Sequence, residues 1–169
     1  MRKKFNNKPE DEYVFEQVVS TRRVAKVVKG GKNFRFTATM VVGNKKGKVG
    51  FGMGKANQIV SAINKAKDRA KKDAFTFPMR NGTIPHEVKT KFGGSKVMIK
   101  PAAPGTGIIA GGPVRAMMEG AGVENVLTKS FGSNTKHNIV KATEKALKSL
   151  RSHEELAKLR GKTIAELMA

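Results

Sequence analysis

Two glycine-rich stretches carry the residue types most capable of chemistry in this chain. Gly50-x-Gly52-x-Gly54-Lys55 follows a β-rich run and precedes a helix-like one. In that setting glycines let backbone N–H groups approach a phosphate, and the start of a helix adds a partial positive charge. Lys55 supplies a full one. The stretch is not a nucleotide-binding P-loop: Val49 stands where the first glycine should be, and Ala56 replaces the Ser or Thr that would hold magnesium. RNA phosphate is the expected ligand, and a tight strand-to-helix turn with no ligand is the plain structural alternative. Gly105-x-Gly107-x-x-Ala110 meets a loose dinucleotide fingerprint. Pro101 and Pro104 interrupt the strand that should feed it, and the helix begins only at Pro113, so a close backbone approach to a neighbouring chain or RNA fits better.

Nothing else assembles into an active site. His86, His137 and His153 have no metal-ligand spacing and read as surface or capping residues. Acidic residues are scarce, and no pair sits where glycosidase or two-metal chemistry needs it. Ser61, Ser95, Ser130 and Ser133 lack a base and an orienter. There is no cysteine, which removes thiolate nucleophiles, disulfides and cysteine-based zinc sites. The expectation is no enzyme, no metal and no cofactor.

Charge points to a partner. The chain of 169 residues carries a net charge of +21, with a pI of about 10.5, and a polyanion is the natural ligand of such a surface. No acid occurs between Glu16 and Asp68, an interval that holds Arg22, Arg23, Lys26, Lys29, Lys32, Arg35, Lys45, Lys46, Lys48, Lys55, Lys65 and Lys67. A free domain would intersperse both signs, so nucleic acid is favoured over a merely solvated face. No apolar run is long enough for a membrane span and no signal-peptide pattern opens the chain, so an intracellular protein is expected. Nine Phe, one Tyr and no Trp make base stacking on an aromatic platform an unexpected mode.

These residues need elements to hold them. Residues 1–12 read as a basic flexible tail ending in an acidic patch. Tyr13 to Val19 is a first strand. Ser20 to Gly31 predicts a projecting hairpin arm that turns on Gly30-Gly31 and carries Arg22, Arg23, Lys26 and Lys29. Phe34, Phe36, Ala38 and Met40 alternate with Arg35, Thr37 and Thr39, the pattern of a half-buried strand. Gly43 to Gly47 is a turn, and Val49 and Phe51 resume a strand. A helix follows with Ile59, Ala62, Ile63, Ala66 and Ala70 on one face and Lys65, Arg69 and Lys72 on the other. Pro78, Asn81-Gly82 and Pro85 mark a join, which divides the chain into 13–78 and 79–152. Beyond it the spacing predicts a hairpin across Phe92-Gly93-Gly94-Ser95 from a strand over 84–90. It then predicts a short helix from Pro113 to Gly120, a strand over 123–131 and a helix over 135–150. In 153–169, Ser152-x-x-Glu155 and Thr163-x-x-Glu166 have capping-box spacing for two short terminal helices.

Gly31-Lys-x-Phe34-x-Phe-Thr-Ala-x-x-Val41-Val42-Gly43-Asn-x-x-Gly47-x-Val-Gly50-Phe-Gly-x-Gly54-Lys55-Ala resembles the signature of a family, the fifth protein of the small ribosomal subunit, bacterial type. Pro101-Ala-x-x-Gly105-Thr-Gly-Ile-Ile-Ala-Gly-Gly112, Gly122-Val-x-Asn-Val126-Leu and Arg160-Gly-Lys are similar to its second half. The resemblance implies an α+β protein. Its first part would be a double-stranded-RNA-binding-like domain of three antiparallel strands plus one helix. Its second would be a two-layer α/β domain with a left-handed β-α-β crossover, a hand that general rules would not favour. It further implies a structural, non-enzymatic constituent of the small subunit, cytoplasmic and in the ribosome. Such a protein binds small-subunit ribosomal RNA, supports assembly and translational accuracy, and lines the mRNA entry path beside ribosomal proteins S-four and S-eight. No membrane is involved. The RNA-binding set would be Arg22, Arg23, Lys26, Lys29, Lys32, Arg35, Lys45, Lys46, Lys48, Lys55 and Arg69. Val24, Ala25, Lys26 and Gly30 match the loop beside which spectinomycin binds the RNA, and Gly107 and Arg115 match positions that face S-four. The other class, on residues alone, is a phosphate-processing enzyme. Ala56 after Lys55 and the acid-free interval speak against it, since both leave a metal unheld.

Overall fold

The computed structural model describes residues 13–162 and 166. The basic tail and the second terminal helix lie outside the described residues. β1 (Phe15–Val28), β2 (Gly31–Gly43), β3 (Lys48–Ala56) and β4 (Phe75–Thr76) form an antiparallel sheet in that order. The first strand and one side of the arm are a single strand, and the arm turns on Lys29-Gly30 because Gly31 already pairs with Val28. A register slip between Val18 and Ser20 marks where β1 leaves the core. Such a bulge bends and twists a strand, which aims the arm outward. The expected sheet had three strands. The fourth arises because the chain returns after the helix and pairs Phe75 with Val49 and Thr76 with Lys48.

Helix α1 (Ile59–Lys72) lies across one face of this sheet. Ala62, Ala66 and Ala70, spaced one turn apart, are fully buried. A Cβ on Gly54, Gly52 or Gly50 would run into the carbonyl oxygens of Ala62, Ala66 and Ala70 respectively. The glycines of β3 are therefore the bed of the helix, and the expectation that they approach a phosphate is corrected. Small residues on both sides bring the two backbones together, so many weak dispersion contacts replace a few large side chains. Ile59, expected in the stripe, is 44% exposed, and its neighbour Val60 is exposed as well. Arg69, Lys71 and Lys72 close the helix against its negative pole.

The other face of the sheet is covered too. Ala38, Met40 and Val42 pack toward α1, whereas Val41, Val49 and Phe51 belong to a cluster shared with the second half of the chain. The half-buried alternation expected of β2 does not hold: Phe34 and Arg35 are both exposed in the arm, and Phe36 and Thr37 are both half-buried. From Ala38 to Gly43 both faces are buried.

The second sheet runs β5 (Val88–Phe92), β6 (Ser95–Pro101), β8 (Val126–Gly132), β7 (Ile108–Ile109), antiparallel except for the parallel pair β7 and β8. The strand expected over 84–90 begins later, past Pro85. That expected over 123–131 begins at Val126, because Glu124 and Asn125 donate their amides to the Gly82 carbonyl. α2 (Gly112–Ala121) makes the parallel crossover, with Pro113 in its first turn and left-handed Gly122 ending it. α3 (Lys136–Lys148) buries Ile139, Thr143, Ala146 and Leu147 as expected. α4 (His153–Arg160) starts with a complete capping box from Ser152 and Glu155.

A clamp joins the halves. In the β2–β3 turn the Lys45 and Gly47 amides donate to the Gly120 and Ala121 carbonyls at the end of α2, at 3.0 and 2.8 Å. Asn44 Oδ1 accepts the Lys46 and Lys48 amides and fixes the turn. Gly43 lies against the Gly120 backbone so closely that a Cβ has no room. Beside the clamp, Lys141 and Lys148 of α3 lie over the Phe51 and Phe75 rings at 5.0 and 4.7 Å. Both also bridge buried Glu144, at 2.8 and 2.7 Å.

Candidate nucleic-acid interface

The arm is a two-stranded ladder held only by its own hydrogen bonds from Val24 outward, since Phe36 and Thr37 still pair with β3. Arg22 pairs with Thr37, Arg23 with Phe36, Val24 with Arg35, Ala25 with Phe34, Lys26 with Asn33 and Val27 with Lys32. Cross-strand partners share a face, so Arg23 and Lys32 point to one side while Arg22, Lys26 and Arg35 point to the other. Every one of these cations is exposed, and no acid of the described residues bridges them. The Arg23 guanidinium stacks on Phe34 at 3.8 Å, which holds one of the charges in place. Gly30 takes φ +94° at the tip, a left-handed turn that favours glycine.

At the root of the arm a polar cleft of about 500 Å³ is lined by Arg35, Lys55, Asn57, Gln58, Ser61 and Lys65. It opens on the start of α1, whose N-cap Gln58 makes no side-chain cap and whose first turn has no acid. Unsatisfied amides and the positive end of the helix dipole thus lie among three cations. This is an anion site in chemical character, reached through the helix start and not through the glycines. Lys65 stood in the sequence among the cations of the acid-free interval and on the basic side of the helix, whereas Asn57, Gln58 and Ser61 were not singled out for the site. The only signal for them was their polarity just before and within the first helical turn.

The sequence-predicted set is not one patch. Lys45, Lys46 and Lys48 lie at the far end of β2, roughly 40 Å from the arm tip at ordinary strand rise. Lys45 and Lys46 are exposed. Lys48 is half-buried, its ammonium 5.6 Å from the Tyr13 ring. Arg69 spends one donor on the Met53 carbonyl at 2.7 Å, tying α1 to β3. Val24 is half-buried and Ala25 and Lys26 are exposed, on the outer half of the arm.

Gly107 and Arg115 are brought together. The Gly107 amide donates to buried Asn125 Oδ1 at 3.0 Å. The Arg115 guanidinium donates to the carbonyl of Ile108, the next residue, at 2.7 Å. Arg115 therefore serves its own domain, by holding the loop before α2. Gly105, Gly107, Gly111 and Gly112 face open space, with no atom near where a Cβ would stand.

His137, expected as a surface or capping residue, packs its ring 5.5 Å from that of Phe51, with a buried Nδ1 that has no partner among the described residues. Burial first, and then the Lys141 charge, hold its pKa below the usual imidazole value. Among the described residues no cluster of His, Cys, Asp or Glu could hold a metal, and no helix is long and apolar enough to cross a membrane.

Two family models match the chain. Residues 14–78 match the model of ribosomal protein S5, N-terminal domain, and residues 90–160 that of ribosomal protein S5, C-terminal domain. The chain is 52% identical over 165 residues to small ribosomal subunit protein uS5 of Treponema denticola, covering 98% of this chain and 95% of that one. It is 53% identical over 154 residues to the protein of the same name from Syntrophobacter fumaroxidans, covering 91% and 93%.

Proposed function

Since the chain belongs to the ribosomal protein S5 family, we propose that it is a structural constituent of the small ribosomal subunit that holds ribosomal RNA with its arm and the cleft at the arm's root. The family is one of ribosomal proteins and is not known to be enzymatic. One observation carries the proposal. The arm has no hydrophobic core of its own, yet it presents Arg22, Arg23, Lys26, Lys29, Lys32 and Arg35 on both faces with no internal counter-charge. Self-repulsion on that scale is relieved by a polyanion that the two faces can straddle.

The finer assignments follow the same reading. Val24, Ala25, Lys26 and Gly30 form the spectinomycin loop against the RNA. Gly107 and Arg115 present the loop before α2 to protein S-four, S-eight is a second protein neighbour, and the basic surface lines the mRNA entry path. Translational accuracy would then depend on how firmly the S-four contact is held, and subunit assembly on the RNA contacts.

The test is a salt series of binding to small-subunit ribosomal RNA, for the full chain and for the variant Arg22→Ala/Lys26→Ala/Lys32→Ala. Each neutralised phosphate contributes roughly 0.7 to 0.9 units of slope in log K against log salt. The variant should therefore lose about two units. An unchanged slope with an unchanged melt would remove the arm from the interface.

A further inference from the structure

The second sheet has a face that the described elements leave open. Val97, Ile99 and Val126 point into the core, and the alternate residues point away from it. The register sets the outward residues in rows. Lys91, Lys96 and Phe131 form one, and Lys89, Met98 and Lys129 the next. Lys100, Leu127 and Ile109 form a third. A shallow groove of about 410 Å³ crosses the first two rows.

We infer that this face is a second RNA-binding surface, on which an RNA segment with unpaired bases crosses β5, β6 and β8, its phosphates on Lys91, Lys96 and Lys129 and a base on Phe131. Lys91 and Lys96 are direct cross-strand partners and both are exposed. Like charges so placed destabilise a sheet. Neither they nor Lys129 has an ion-pair partner among the described residues. The one acid at the margin, Glu87, is already shared by Lys89 and Lys100, at 3.0 and 3.2 Å. An external anion removes the penalty. Phe131 is 49% exposed in the midst of these cations, the arrangement in which an open sheet stacks a base. A protein partner fits less well, because the cores of protein interfaces are depleted in lysine. Few aromatics in the composition do not count against this, since a single ring suffices here. The inference rests on the reading above in one respect: the RNA is that of the small subunit.

The absence of cysteine allows a direct test. Lys129→Cys and, separately, Lys29→Cys each give the full chain one thiol for a tethered iron chelate, and each protein is reconstituted into small subunits. Both probes should cut ribosomal RNA, at different segments. Cutting from Lys29 with none from Lys129 overturns the second surface and leaves the arm in place. Silence from both overturns the two readings together. A photo-crosslinker on the Lys129→Cys thiol that captures a ribosomal protein instead of RNA also overturns it. In the salt series, Lys91→Glu/Lys96→Glu should lose about 1.5 units of slope if two phosphate contacts go. Phe131→Ala should weaken binding between about fivefold and 150-fold. Unchanged slope and affinity in both variants, with melts like the parent's, overturn the proposal.

Discussion

The two glycine-rich stretches look alike in sequence and do opposite things. Gly50, Gly52 and Gly54 are bare because a helix backbone occupies the space where their side chains would be. Gly105, Gly107, Gly111 and Gly112 meet nothing in that space. The first stretch is an internal fit between α1 and β3. The second is a loop that turns through left-handed conformations at Gly105 and Gly107, with φ +89° and +74°, and offers unshielded backbone outward. A glycine pattern therefore reports that a side chain is unwelcome, and only the tertiary neighbours say why.

Substitutions can break that contrast, and the largest effect is expected at Gly52. Gly52→Ala drives a methyl into the Ala66 carbonyl oxygen and the Ala70 amide nitrogen, backbone atoms that cannot move aside. The cost should exceed about 3 kcal/mol, at the upper end of overpacking, which lowers the Tm by roughly 10 °C for a chain of this size. A Tm within two or three degrees of the parent would mean that α1 can lift off the sheet, and the internal-fit account would go. Gly107→Ala meets no atom but must hold φ +74°, so about 1–2 kcal/mol of backbone strain is expected. A cost as large as that at Gly52 would show that the loop is packed after all.

The opposite side of β3 gives a third test. His137 rests on Phe51 with its pKa held below the ordinary value of 6.5, chiefly by burial. The unfolded chain then binds the proton more readily, so the stability His137 contributes is complete above pH 6.5 and is lost as the pH falls through the lower folded value. A melt series from pH 8 to pH 5 should show the Tm falling in the lower half, and His137→Phe should flatten it. Equal slopes in parent and variant would take His137 out of the seam. The smallest effect is expected at Gly112. Gly112→Ala should change stability by less than about 0.5 kcal/mol, since gained helix propensity is opposed by crowding before Pro113. Its incorporation into reconstituted small subunits, in competition with the parent, should nevertheless fall. Equal incorporation would mean that bare backbone in this loop serves its turns alone.

Much of the fold was legible because its signals are local. The Gly30 turn, the Asn44-to-Gly47 turn, Pro113 and Gly122 around α2, and Ser152 with Glu155 all state their conformation in a few residues. What depends on distant neighbours was not. Nothing near Gly52 says that a helix will lie on it. The doubly buried half of β2 had one hint, the adjacent Val41 and Val42, which break the alternation. The basic set was legible as a composition and not as a place, since one long strand separates Lys26 from Lys45. The lysines of the second sheet were passed over because their opposition across strands appears only once the register is known.

The clamp between the β2–β3 turn and the end of α2 bears on the chain's synthesis. Val41, Val49 and Phe51 are in place early, but the residues that cover them, from Val114 to Leu147, come off the ribosome later. Until then the first sheet carries an apolar face with no lid, next to the exposed cationic arm. The nascent chain is thus held in a sticky, cationic state for the time needed to make the second half. Rapid capture by RNA or a chaperone would protect it during that interval, and the last turn of α2 is the latch that ends it.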